Sequence, residues 1–260
     1  MNELLSLAWQ DTLTFVFIFL RVGIIFAMIP FFSAELIPRR ITAILAFFLS
    51  LVLVPMVPSP LIRAEDINVL TLLVFLLHEA LIGMSLGLAV TIIFAGIQIA
   101  GEIAGFQMGF AIANVVDPMT GIDAPITSNV MYITAFLLFF AIGGEHMLIK
   151  ALVESYYLIP LDASFPQRSF LLGCLAYGGQ MFMIGVKVAS PIIGVLLLIN
   201  VAFAIIARAL PQMNVFLMAF PLTIAVGLTF TTFVISLLPL FMSGALAKAW
   251  EFMISSLGMF

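Results

Sequence analysis

Four charged residues fall inside or at the edge of long apolar stretches of this chain: Arg21, Glu79, Glu102 and Lys187. A lone charge at the centre of a bilayer costs roughly 2.5–3.5 kcal/mol, so each must pair, line water or stand clear of lipid. Two chemistries fit. One is a path for ions or protons; the other is structural ion pairing between helices. Glu145-His146 lies at the end of an apolar stretch, where charge costs little, and reads as an interfacial cap. Gly83-Met84-Ser85-Leu86-Gly87 matches the nucleophile string GxSxG. That motif works only where a strand turns sharply into a helix, and here it sits in a continuous helical run. The general base would have to be His78 or His146, the two histidines of the chain. His78 shares roughly the same helical face but lies about 10 Å away along the axis. Ser85 is therefore expected not to be catalytic. HExxH, CxxC and GxxxxGK[ST] are all missing, so neither ATP hydrolysis nor a bound cofactor is expected. The single Cys174 excludes an intrachain disulfide and a cysteine-based metal cluster.

The elements that must position these residues follow from composition. The 260 residues are 64% hydrophobic and 8% charged, against about a quarter charged in a soluble domain. Mean hydropathy is +1.31. Lipid or other membrane chains must solvate most of this surface, which predicts an all-α integral membrane protein. The net charge of -4, with 9 Lys+Arg, offers no basic patch for nucleic acid. Met1-Asn2-Glu3 provides no basic start for a signal peptide and Arg21 interrupts the first apolar run, so the first helix is expected to be retained.

Apolar runs cover Leu13–Phe32, Ile41–Val57, Ile67–Gly101, Ala124–Gly144, Ser169–Ala207 and Ala209–Ala247. They predict about six hydrophobic helices, some of them bent. The last run would extend about 58 Å as one straight helix, nearly twice the hydrocarbon thickness of about 30 Å. It must tilt, kink or protrude, with Pro221 and Pro239 as the expected kink points. Prolines and glycines mark the joints around 30–40, 55–66, 114–125, 158–167 and 210–214. No internal repeat or linker interrupts the chain, so residues 1–260 read as a single membrane domain. Arg39-Arg40 suggest a cytoplasmic first turn, while the other loops carry too few cations to fix the topology.

Gly83 and Gly87, and then Gly101, Gly105 and Gly109, recur four apart. Small residues at this spacing let helices approach closely in lipid, either within the chain or against other subunits. A secondary transporter would use Glu79, Glu102 and Lys187 near the midplane, with paired internal repeats; the repeats are not seen.

The most specific landmarks are Arg208 followed by Pro211-Gln212-Met213-Asn214-Val215-Phe216, and the loop through Asp117-Pro118. With them come Arg21, Pro30, Pro38-Arg39, Glu79, Ala100-Gly101-Glu102, Gln107-Met108-Gly109, Gly143-Gly144-Glu145-His146, Ser155-Tyr156 and Pro160. Together they resemble the FliR family, the export-gate proteins of flagellar biosynthesis with counterparts in virulence-type type III secretion. The resemblance implies helices arranged as hairpins in a hetero-oligomeric gate at the flagellar basal body, in the bacterial inner membrane. Its partners would be FliP and FliQ, with FlhB and FlhA, and unfolded flagellar proteins would be the cargo. It also implies a FliP-like part over about 1–165 and a FliQ-like helical hairpin over about 169–260, turning at Leu210–Asn214. The role would be that of a channel subunit, not an enzyme. Subunit packing would fall on Gly83, Gly87, Gly101, Gly105, Arg208, Pro211, Gln212 and Asn214.

A pore wide enough for an unfolded chain leaks unless it is filled. The segment Phe106 to Pro125 is expected to be that filler. Phe106, Met108, Phe110, Ile112 and Met119 supply adaptable apolar bulk. Gly109 gives backbone freedom, and Asp117 and Pro118 oppose a rigid helix.

Overall fold

A computed structural model of the chain describes residues 2–33, 37–57, 68–110, 125–159, 168–210 and 215–259. The regular elements among the described residues are all helices. The helices are α1 (Asn2–Met28), α2 (Pro30–Ser33), α3 (Arg39–Leu53), α4 (Val69–Met108), α5 (Ile126–Ala141), α6 (Gly144–Leu158), α7 (Arg168–Gly178), α8 (Gln180–Ala209) and α9 (Val215–Leu257). Prolines set several boundaries. Pro38 and Pro125 immediately precede α3 and α5, and Pro55 sits in the 3-10 turn Val54–Met56 that closes α3.

Among the described residues, four helical stretches are long and apolar enough to cross a membrane: Arg39–Met56, Val69–Met108, Arg168–Ala209 (α7 with α8) and Met218–Leu257. The pair Ile126–Ala141 and Gly144–Leu158 makes a fifth if counted as one broken span. Thr12–Met28 is a shorter apolar helix. The all-α membrane reading therefore holds, with six as a loose count.

Three boundaries differ from the sequence reading. The 40-residue α4 extends to Met108 instead of ending at Gly101, so Glu102 is a mid-helix residue. The run Ala124–Gly144 is not one straight span, because Gly143 at φ 80 turns the chain between α5 and α6. This is left-handed backbone that glycine adopts without steric cost. Finally, α9 continues as helix through both Pro221 and Pro239.

The chain forms two compact units, and each draws on several stretches of sequence. The first comprises residues 1–92, 143–178 and 246–260; the second comprises 93–142 and 179–245.

In the first unit α1 runs parallel to the first half of α4. Glu79, Gly83, Gly87 and Thr91, each four apart, form the α4 side of this contact. Gly83 faces the Arg21 carbonyl and Ile24, and Gly87 faces Met28. The Thr91 hydroxyl donates to the Met28 carbonyl at 2.8 Å. A four-residue repeat keeps one face of a helix in line, and small residues on it let backbones meet. Leu13 and Phe17 extend the contact toward Leu72, Phe75 and Leu76.

In the second unit the later half of α4 is held between α5 and α8. Phe94 packs against Tyr132 and Phe139. Gly96 lies against Met181 and Ile184, and Gly185 against Ile99.

Candidate functional site

The principal charge site lies in the first unit, where α1, α4 and α6 meet. Arg21 Nε and Nη2 donate to the two Glu79 carboxylate oxygens at 2.6 and 2.7 Å. Arg21 Nη1 donates to Ser155 Oγ at 2.6 Å, and that hydroxyl donates onward to the Leu152 carbonyl at 2.6 Å. The Tyr156 ring covers the guanidinium, with Cζ 3.9 Å from the ring centroid. Arg21 is 0% exposed and Glu79 1%.

The geometry follows from residue type. Guanidinium presents parallel N–H groups that match a carboxylate in bidentate fashion, and its flat face stacks on an aromatic ring. A lysine at position 21 could do neither. Gly83 stands one helical turn after Glu79, and an added Cβ there would come within 3.0 Å of the Arg21 carbonyl. Glu79 thus holds the side chain of Arg21, while Gly83 admits its backbone.

Such a cluster joins three helices and closes its charges on each other. It offers no opening for substrate. Of the two roles open to these residues, structural ion pairing is the one that Arg21 and Glu79 adopt. Ser155-Tyr156 contributes to the resemblance in sequence, but only the fold makes it a partner of Arg21.

Glu102 and Lys187 do not join this cluster. Both belong to the second unit, where Lys187 is exposed and Glu102 is partly exposed. Neither makes a salt bridge among the described residues. Glu145 and His146 pair with each other at 2.6 Å at the start of α6.

Ser85 lies inside α4, buried, and donates to the Ile82 carbonyl at 2.8 Å. No strand or sharp turn surrounds it, and the setting that GxSxG needs to expose a nucleophile is missing.

The glycines expected at subunit contacts meet the chain's own helices instead. Besides Gly83 and Gly87, Gly101 faces Ser128 and Thr127, and Gly105 faces Pro125 and Thr127. At these four positions intrachain atoms already fill the space that a Cβ would take. Sequence spacing could not decide this, because close helix approach looks the same within a chain and between chains. Gly96, Gly185 and Gly227 serve the same purpose without any regular spacing to mark them; Gly227 receives Met108.

Arg208 occupies the last turn of α8, exposed, where a cation complements the helix dipole. Pro211, Gln212 and Asn214 lie outside the described residues, as do Ile112, Asp117, Pro118 and Met119. Phe106 and Met108 are helical, at the end of α4, and not part of a loop. Phe106 is exposed, whereas Met108 is buried. Gly109 follows at φ 90 and ends the helix in left-handed backbone, and the Phe110 amide donates back to the Gly105 carbonyl at 3.0 Å.

Comparison with known proteins completes the description. The model of the family described as bacterial export proteins, family 1, matches residues 12–249. The flagellar biosynthetic protein FliR of Bacillus subtilis (strain 168) is 34% identical over 216 residues, covering 82% of this chain and 82% of that protein. FliR of Escherichia coli (strain K12) is 32% identical over 212 residues, covering 81% of this chain and 79% of its own. FliR of Aquifex aeolicus (strain VF5) is 31% identical over 234 residues, covering 87% and 88% respectively. These matches take in the ion-pair helices, the glycine-packed α4 and the apolar α8 and α9 alike, and on that extent the chain belongs to the FliR family of bacterial export proteins.

Proposed function

We propose that this chain is a core subunit of the flagellar type III protein export gate. It is a bacterial membrane protein of the flagellar export apparatus. With FliP and FliQ it forms the pore through which unfolded flagellar subunits cross the inner membrane, and FlhB and FlhA are its neighbours there. Residues 1–165 act as a FliP-like part and 169–260 as a FliQ-like hairpin in this assembly.

The observation that carries the reading is the mismatch between apolar length and internal burial. Within an 18-residue apolar window of each, Arg168–Ala209 and Met218–Leu257 have 17% and 22% of their residues buried by the chain itself, against 67% for Val69–Met108. Lipid alone would satisfy the apolar surface of these helices. It would not satisfy Lys187, exposed and without a salt bridge among the described residues, midway along the first of them. A partner subunit or a wet lumen answers both. Glu102 raises the same demand on α4.

The segment from Gly109 to Pro125 is the pore filler in this reading, shorter than the composition suggests because α4 claims Phe106 and Met108. The test is co-expression of the tagged chain with the FliP and FliQ proteins of the same cell. One complex containing all three is expected. Deleting residues 109–113 should leave assembly intact and produce an ion leak that the parent lacks. A chain that purifies alone from motile cells would overturn the subunit assignment. A tight deletion complex would overturn the filler.

Ser85→Ala should leave motility and export at parental levels, because it removes one hydroxyl that only bonds its own helix. Loss of export with normal assembly would reopen a hydrolytic role.

A further inference from the structure

Between α1, α2 and the start of α3, within the first unit, lies a cleft of about 440 Å³. Its lining includes Phe19, Gly23, Ala27 and Phe32 on one side and Arg39, Thr42 and Ala46 on the other. We propose that this cleft binds an anionic phospholipid, with the phosphate at Arg39 and an acyl chain along the floor of small residues.

Three observations carry the assignment. The first is chemical polarity along the cleft. Arg39 is exposed and makes no salt bridge among the described residues, while the walls beyond it are two phenylalanine rings, a glycine and alanines, with Thr42 as the one further polar side chain of the lining. An anionic head on an apolar tail matches that order. A soluble phosphate has no use for the floor, and a hydrocarbon chain has none for the arginine.

The second is position. Arg39 is the first residue of Arg39–Met56, a stretch long and apolar enough to cross a membrane. That end of a span lies at headgroup level, and the rest of the helix lies at acyl level. The outer face of α3 carries Ile44, Leu45, Phe48, Leu51 and Val52, all exposed, so the cleft opens beside a surface already suited to lipid. By the positive-inside tendency, Arg39-Arg40 favour the cytoplasmic side for this end, and that leaflet carries negative surface potential.

The third is that the cleft is open by residue choice. A Cβ added at Gly23 would meet nothing within 4 Å. Gly83 and Gly87 are glycines because another helix lies on them; Gly23 leaves space that no part of the described chain fills. A bulky side chain at position 23 can therefore occupy the cleft without displacing a helix.

The test uses the full-length chain, purified from membranes with any subunits that remain bound. It is exchanged into micelles containing phosphatidylglycerol or phosphatidylcholine, and retained lipid is counted by native mass spectrometry. Retention of phosphatidylglycerol over phosphatidylcholine is expected, undiminished by inorganic phosphate. Gly23→Phe should abolish retention of both lipids at this site. Arg39→Gln should reduce the preference for phosphatidylglycerol by about fivefold, the weight of one basic residue at a membrane surface. Both variants should insert and assemble at parental yield. Equal retention of the two lipids by the parent, or no change in either variant, overturns the proposal. Displacement by inorganic phosphate overturns it in favour of a free-anion site. Failure of Gly23→Phe to assemble, with Arg39→Gln unchanged in lipid preference, overturns it in favour of a partner side chain in the cleft.

Discussion

Glu79→Leu should destabilise the protein by about 3–5 kcal/mol, the cost of leaving one member of a buried ion pair without the other. Arg21 would keep its bond to Ser155 Oγ and its place beneath Tyr156, yet its charge would have no counter-ion at 0% exposure. The expected readouts are a much lower membrane yield and a lower thermal midpoint for the detergent-purified chain. Arg21→Met should do comparable damage from the other side. The double variant Arg21→Met/Glu79→Leu is the informative one. Apolar side chains of similar volume can replace a buried pair at little cost, so the double variant should regain much of the lost yield. If each single variant matches the parent, the pair does not hold the helices. If the double variant is as poor as the singles and binds no worse to partners, packing rather than charge governs the site.

Gly101→Ala should produce the next largest effect, and from a single methyl group. An added Cβ would stand 2.4 Å from Ser128 Cα, 2.9 Å from its amide nitrogen and 3.0 Å from the Thr127 carbonyl oxygen. All three are backbone atoms, so no side chain can swing aside. Helix α5 would have to move away from α4. That movement would break the bonds from Thr127 Oγ1 to the Gly101 carbonyl at 2.8 Å and from Ser128 Oγ to the Gln98 carbonyl at 3.1 Å. Forcing extra volume into a packed contact costs about 1–3 kcal/mol or more. Gly194→Ala is the control, since a Cβ there meets nothing within 4 Å. It should be neutral or slightly stabilising, because alanine favours helix over glycine. Proteolytic sensitivity of the α4–α5 connection and thermal midpoints would separate the two. Equal behaviour of the two variants would mean that α5 is not seated on Gly101.

Much of this was legible in the sequence, for a plain reason. In hydrocarbon every backbone polar group must be satisfied within its own segment, so long apolar runs become helices whatever surrounds them. Composition therefore determined the class, and prolines 38, 55 and 125 marked boundaries by removing a donor and crowding the preceding turn. The charges Arg21 and Glu79 could be identified as needing partners, because an isolated charge is costly in either lipid or protein. The run around Arg208 and the Asp117-Pro118 loop pointed to the family.

Only the tertiary structure decided who pairs with whom. Arg21 and Glu79 are 58 residues apart, and Ser155 is a further 76 beyond Glu79; no local periodicity encodes a contact across such separations. The same holds for the glycines. A stripe of small residues states that something comes close, and says nothing of whether that neighbour belongs to the same chain. Gly101 proved to seat α5 and Gly87 to seat Met28, while Gly23 faces an open cleft. Residue type sets what a position can tolerate; the path of the chain through space sets what it meets.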